Sequence, residues 1–160
     1  MNSTQALPEQ ALIQQLVQQH ADEPGALLPL LHDIQDKLGF IPASSVAAIA
    51  EGLNLSRAEV HGVITYYHHF RSTAPGKHVI QVCRAEACQS CGSEELWALA
   101  EKLLGCNGHE TSANGMYSLE PVYCLGLCAS SPAVQIGDKL HSRVNEAKLT
   151  RLVKSLESVA

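Results

Sequence analysis

The sequence predicts an α+β protein, an N-terminal helical bundle followed by a domain built on a mixed β-sheet. Three observations predict it. Apolar residues recur at helical spacing as far as Tyr67. That period is lost at Arg71–Lys77, where Ser, Thr, Pro and Gly cluster. The remainder reads strand, helix, strand, hairpin, helix. With 160 residues, 46% of them hydrophobic, the chain has enough apolar side chains to bury a real core in one ordinary domain or two small ones.

In the N-terminal part, Pro8 suits a first helical turn, and Leu12, Ile13, Leu16 and Val17 follow at helical spacing. A second helix is expected from Pro24, its stripe Leu27, Leu30, Leu31, Ile34 and Leu38 ended by Gly39. After Ile41-Pro42, Val46, Ala47, Ile49 and Ala50 predict a short helix closed by Gly52. Ser56 and Glu59 then form a capping box that opens a fourth helix through Val60, Val63, Ile64 and Tyr67. The change of register places the domain boundary after residue 72, giving a helical domain over 1–72 and a sheet domain over 73–160.

The second part begins with a strand, His78–Val82, that ends directly at Cys83. Ser93 is expected to cap a helix whose Leu96, Leu99, Ala100, Leu103 and Leu104 share a face, with Gly105 as its stop. Tyr117–Tyr123 reads as a strand, and Pro121 within it points to an edge or an irregularity. Val134–Ile136, the Gly137-Asp138 turn and Lys139–His141 read as a hairpin, and a last helix starts near Asn145. This order implies one parallel crossover followed by an antiparallel pair, a thioredoxin-like arrangement.

The first thirty residues show no basic start, apolar run and small-residue cleavage site, and no segment is long and apolar enough to span a bilayer, so a cytoplasmic protein with no membrane partner is expected. A formal charge of −5 argues against nucleic acid as a partner and favours proteins. In a reducing compartment six cysteines point to metal or redox chemistry before disulfides. Cys83 and Cys88 form C-x4-C at one strand end, and Cys124 and Cys128 form C-x3-C at the next. Parallel neighbours joined by a crossover bring both ends to the same sheet edge. Four thiolates are what a [2Fe–2S] cluster needs, two for each iron, and Gly126 allows backbone to approach the inorganic sulfurs.

Two other chemistries stay open on spacing. Cys88 and Cys91 form the C-x2-C of half a zinc site, though a matching pair is missing, so a zinc-stabilised interaction module is one alternative. The same C-x-x-C on a thioredoxin-like fold suggests a disulfide oxidoreductase, but it lies after the Cys83 loop and not directly after the strand.

With these residues in view the chain resembles the thioredoxin-like [2Fe–2S] ferredoxin subunits of NAD-linked dehydrogenases, as found in the flavoprotein modules of complex I and of bidirectional hydrogenases. The resemblance spans nearly the whole chain. It rests on Leu27-Leu-Pro-Leu-Leu-His-Asp-Ile-Gln, on Leu55-Ser-Arg-Ala-Glu-Val-His-Gly-Val-Ile-Thr-Tyr-Tyr, on the Cys83 loop and on Pro121-Val-Tyr-Cys-Leu-Gly-Leu-Cys. Within the family, Cys83-Arg-Ala-Glu-Ala-Cys-Gln-Ser and Glu120-Pro-Val-Tyr-Cys-Leu-Gly-Leu-Cys-Ala are most similar to the gamma subunits of soluble, molybdenum-dependent NAD formate dehydrogenases. The resemblance implies Cys83, Cys88, Cys124 and Cys128 as the ligands of one [2Fe–2S] cluster, with Cys91 and Cys106 outside the pattern. It implies an electron-transfer subunit whose partners are a flavoprotein beta subunit, binding FMN, NAD and a [4Fe–4S] cluster, and an alpha subunit with the molybdenum cofactor. The N-terminal helices then serve docking.

The remaining motifs carry blander readings. Ala47–Tyr67 imitates a helix-turn-helix, but its second helix offers only Arg57 as a basic side chain in its first turns, which suits a bundle or docking role. His68, His69 and His78 lack the pairing with cysteine that a Rieske-type centre needs. Tyr66, Tyr67 and Phe70 suit either a partner surface or burial. No Gly-rich phosphate loop, dinucleotide fingerprint or nucleophile elbow is present, so substrate chemistry is not expected of this chain itself.

Overall fold

The computed structural model describes residues 3–157, and the chain divides into two compact units, 1–74 and 75–160. The first unit is all helical. α1 (Ser3–His20) and α2 (Leu27–Leu38) are followed by a single 3-10 turn (Ala43–Ser45), α3 (Val46–Gly52) and α4 (Arg57–Tyr66). Their apolar faces meet in one core of Ile13, Leu16, Val17, Leu30, Leu31, Ile34, Ile49 and Val60.

The ends of these helices follow local chemistry. Gly39 takes a left-handed conformation (φ 83°) and returns its N–H to the Gln35 carbonyl. Ser56 accepts the Glu59 amide while the Glu59 carboxylate accepts the Ser56 amide, closing the expected capping box. Three expectations need correction. α1 already runs from Ser3, so Pro8 lies inside the helix and not in its first turn. α2 begins at Leu27, because residues 21–26 are occupied by turns and Pro24 lies among them. Gly52 is not a left-handed stop but the last residue of α3, where a Cβ would collide with Val17 Cγ1; its task is the close approach of α3 to α1.

A polar residue closes this unit. Gln35 is buried, accepts the Arg71 amide (2.7 Å) on its side-chain oxygen and donates to the His69 carbonyl (2.8 Å), so the segment after α4 is pinned to α2.

The second unit is a four-stranded mixed sheet in the order β2-β1-β3-β4, with β1 (His78–Cys83), β2 (Tyr117–Val122), β3 (Val134–Ile136) and β4 (Lys139–His141). β1 pairs parallel with β2 and antiparallel with β3, and β3 and β4 form the hairpin. Pro121 does lie on an edge strand, where a missing N–H leaves no ladder partner stranded. Three helices complete the unit: α5 (Glu86–Gln89), α6 (Ser93–Leu104) and α7 (Glu146–Glu157). Ile80, Val82, Leu119 and Val134 of the sheet pack with Leu96, Ala100 and Leu104 of α6 and Leu149 and Val153 of α7. The expected α+β, thioredoxin-like architecture is present. Ser93, however, is the first residue of α6 and not its cap. Gly92 (φ 90°) holds that position, and the Ser93 hydroxyl is fully buried without a hydrogen-bond partner among the described residues.

Among the described residues no helix is long and apolar enough to cross a membrane.

Candidate metal centre

The parallel register decides where the cysteines meet. Cys83 ends β1 opposite Val122, the last residue of β2, and Cys124 follows two residues later. On the other flank of β1 the Cys83 amide donates to the Ala133 carbonyl (3.0 Å), which leads into β3. The ends of three strands thus surround Cys83. The short helix α5 then carries Cys88 back to it, and both thiols are buried, with Cys88 raising Cys83.

Cys124 and Cys128 sit on a loop that turns sharply. Cys124 has φ 127°, a conformation rare outside glycine, and Gly126 has φ 76°. Strain of this kind costs about 1–3 kcal/mol and persists where the surroundings impose it, commonly at functional positions. Its result here is that the sulfurs stand 3.8 Å apart and the Gly126 amide points at the Cys124 sulfur (3.4 Å). Two thiolates on one tetrahedral metal, with bonds of about 2.3 Å, stand ~3.8 Å apart.

Backbone amides act on the buried thiols too: those of Ala85 and Leu125 lower Cys83, and that of Ala133 lowers Cys88. The Ser131 hydroxyl lies 3.5 Å from the Cys88 sulfur. Such a ring of N–H dipoles favours sulfur as thiolate, the form that binds metal. The thiols respond unequally. Burial dominates at Cys83 and raises it, against the Ala85 amide and with help from neighbouring Cys88. Burial also acts to raise Cys88, but Ser131, Cys83 and the Ala133 amide together bring it below the ordinary thiol range. At Cys128 the bond with Cys124 raises the thiol, since two adjacent sulfurs do not both ionise readily without a cation.

The donor set therefore fits a two-iron centre: four thiols at adjoining strand ends, with Cys124 and Cys128 spaced as two ligands of one metal. Among the described residues no three His, Cys, Asp or Glu side chains converge as ligands of a single ion. One pair is buried and the other exposed. Cys91 belongs to neither. It is exposed one turn beyond Cys88, its amide bonded to the Cys88 carbonyl (3.1 Å). Cys106 is buried in the sheet core, and burial raises its thiol, as befits a small neutral side chain. His78 starts β1 at the end opposite Cys83.

A family model for the thioredoxin-like [2Fe-2S] ferredoxin matches residues 13–157. The chain belongs to this family. Its members carry one [2Fe–2S] cluster. Among curated relatives, the chain is 32% identical to "NADH-quinone oxidoreductase subunit 2" of Thermus thermophilus over 83% of its length and 74% of the relative's. It is 31% identical to an NADH-quinone oxidoreductase subunit of Pseudomonas aeruginosa, over 92% of its length and 89% of the relative's. A solved structure of an NAD+-reducing [NiFe]-hydrogenase, air-oxidised, superposes with TM-score 0.68 at 20% identity, covering 82% of this chain and 23% of that one, a likeness of fold.

Several contributors to the centre carry no signal in the sequence. Ala85, Leu125 and Ala133 act through their backbones, which any side chain would offer, and Ser131 is one serine among several. Arg84, a charge beside a cysteine, is engaged with other partners. Its guanidinium makes two hydrogen bonds to Glu94 (3.2 and 2.7 Å) and lies 4.9 Å over the Trp97 ring.

Proposed function

We propose that this chain is the electron-transfer subunit of an NAD-dependent formate dehydrogenase complex and holds its [2Fe–2S] cluster on Cys83, Cys88, Cys124 and Cys128. The observation that carries the ligand assignment is the pairing of four sulfurs at adjoining strand ends within a ring of backbone amides. A two-iron cluster there supplies a one-electron store, whereas a flavin accepts a hydride as two electrons, so one electron can be parked while the other moves on. The protein's own part is to hold the thiolates ionised and to fix which side faces a partner. Cys124 and Cys128 are exposed, with Tyr123 beside them 66% exposed, while Cys83 and Cys88 are buried. Electrons pass to a partner on the Cys124–Cys128 side.

That partner is a flavoprotein beta subunit binding FMN, NAD and a [4Fe–4S] cluster, joined to an alpha subunit carrying the molybdenum cofactor. The helical domain, 1–72, fastens this subunit to the flavoprotein. Supporting this, a mainly apolar groove of about 760 Å³ opens along α2 and α4, lined in part by Leu28, Leu55, Val63, Tyr66 and Tyr67, with Tyr66 76% exposed. Formate as the parent complex's substrate rests on the likeness of the two cysteine segments. The curated relatives favour a second reading, the equivalent subunit of an NADH–quinone oxidoreductase.

Isolation of the native complex through this chain tests all of this. The expected preparation reduces NAD with formate and contains molybdenum and flavin, and this subunit carries two irons with a rhombic spin signal on reduction. A complex that oxidises NADH with quinone and lacks molybdenum overturns the formate assignment. A colourless subunit holding zinc overturns the cluster.

A further inference from the structure

One side chain touches both halves of the cysteine site. Ser131 follows the short 3-10 turn at Cys128–Ser130; its hydroxyl donates to the Cys128 carbonyl (2.9 Å) and its Oγ accepts from the Cys88 thiol (3.5 Å). The relay runs from the buried sulfur pair, through one hydroxyl, to the backbone of the exposed pair. It depends on Cys88 carrying a proton. A thiolate bound to metal has none to donate, and it then presents negative charge to an oxygen lone pair 3.5 Å away. A hydroxyl rotates about its C–O bond and has a single hydrogen to place. The charged sulfur is the stronger acceptor, because a hydrogen bond to an ionised group is roughly twice as strong as one between neutral groups.

We propose that Ser131 is a positioning residue that sets the reduction potential of the cluster, turning its hydroxyl from the Cys128 carbonyl to the Cys88 sulfur when that sulfur becomes a ligand. This rests on the assignment of Cys88 as a ligand. Reduction adds an electron whose charge spreads onto the coordinating sulfurs, so a donor aimed at one of them stabilises the reduced state more than the oxidised state and raises the potential. The Ala133 amide already lowers this thiol from fixed backbone. Ser131 adds a donor that a side-chain substitution can remove. The residue is half-buried, and along its other flank runs a cavity of about 430 Å³ shared with Cys91, Pro132 and Arg143, so a smaller side chain meets no obstacle.

The experiment compares S131A and S131T with the wild-type chain, each loaded with iron and sulfide. Two irons per chain and the midpoint potential are measured by spin-resonance-monitored redox titration. Pulsed spin resonance in heavy water counts exchangeable deuterons coupled to the cluster. The expected result is full iron content in all three, a more negative potential and one fewer coupled deuteron in S131A, and wild-type values in S131T. An unchanged potential in an iron-replete S131A overturns the proposal. So does loss of iron from S131A alone, which makes the hydroxyl a strut for the Cys128 loop. A wild-type chain that binds no two-iron cluster refutes instead the ligand assignment beneath it.

Discussion

Gly76 stands at the entrance to β1, and replacing it by alanine puts a methyl group where β2 already is. A Cβ at this position would lie 2.7, 2.8 and 2.9 Å from the carbonyl carbon, nitrogen and oxygen of Tyr117. Ordinary contact begins near 3.4 Å, so the gap must open by about 0.7 Å. The obstacle is backbone, which has no rotamer to change, and Tyr117 is held in parallel register opposite His78. Overpacking of this kind costs about 1–3 kcal/mol. The Gly76 amide also donates to the buried Ser118 hydroxyl at 2.7 Å, and displacing it adds about 0.5–1.5 kcal/mol. The stiffer unfolded chain returns about 0.4–1 kcal/mol. The net is about 2 kcal/mol, which for a domain of 60–100 residues lowers Tm by roughly 8–16 °C. Thermal unfolding followed by circular dichroism measures it. A Gly76→Ala midpoint within about 3 °C of wild type would refute the claim that this glycine exists to let β1 and β2 approach.

Three further predictions rest on separate features. His20 closes α1 with both ring nitrogens on carboxylates, Nδ1 to Glu23 (2.7 Å) and Nε2 to Asp33 (2.8 Å), which requires the imidazolium, and Asp33 followed by Glu23 raises its pKa above 6.5. Its contribution is therefore full below pH 6.5 and is lost as pH rises through the higher folded value; urea unfolding between pH 6 and 9 should show the wild-type advantage over His20→Gln shrinking upward, and a constant difference would contradict it. Gly62 lies inside α4 with open space around it, so Gly62→Ala should stabilise the helix by up to about 1 kcal/mol in urea titration; because it lines the proposed docking groove, it should also weaken binding to the flavoprotein subunit, and unaltered binding would remove the groove from the interface. Cys88→Ala should lose iron while Cys91→Ala keeps two irons per chain and shifts stability by no more than about 0.5 kcal/mol, since Cys91 is exposed and outside both sulfur pairs; equal iron loss in both variants would overturn the ligand assignment.

Much of the architecture was legible because it is written in local chemistry. Gly39 and Gly105 end helices as left-handed caps, Ser56 and Glu59 close their box, and Gly137-Asp138 turns the hairpin, each needing only residues within a few positions. The misreadings also share a cause. Gly52 looked like a stop and Ser93 like a cap because both types favour those positions. What placed them where they are is contact with residues far away in sequence, Val17 for Gly52, and burial for Ser93.

The same division runs through the metal centre. The four thiols, their spacing in two pairs and their position after strands could all be read along the chain, because a ligand must be a particular side chain. Folding was needed to bury one pair and expose the other, to aim backbone amides from several segments at the sulfurs, and to bring Ser131 against both pairs. Those properties belong to strand register and to the turn at Cys124 and Gly126, both at positive φ. Backbone groups are the same in every residue, so where they point is set by the fold.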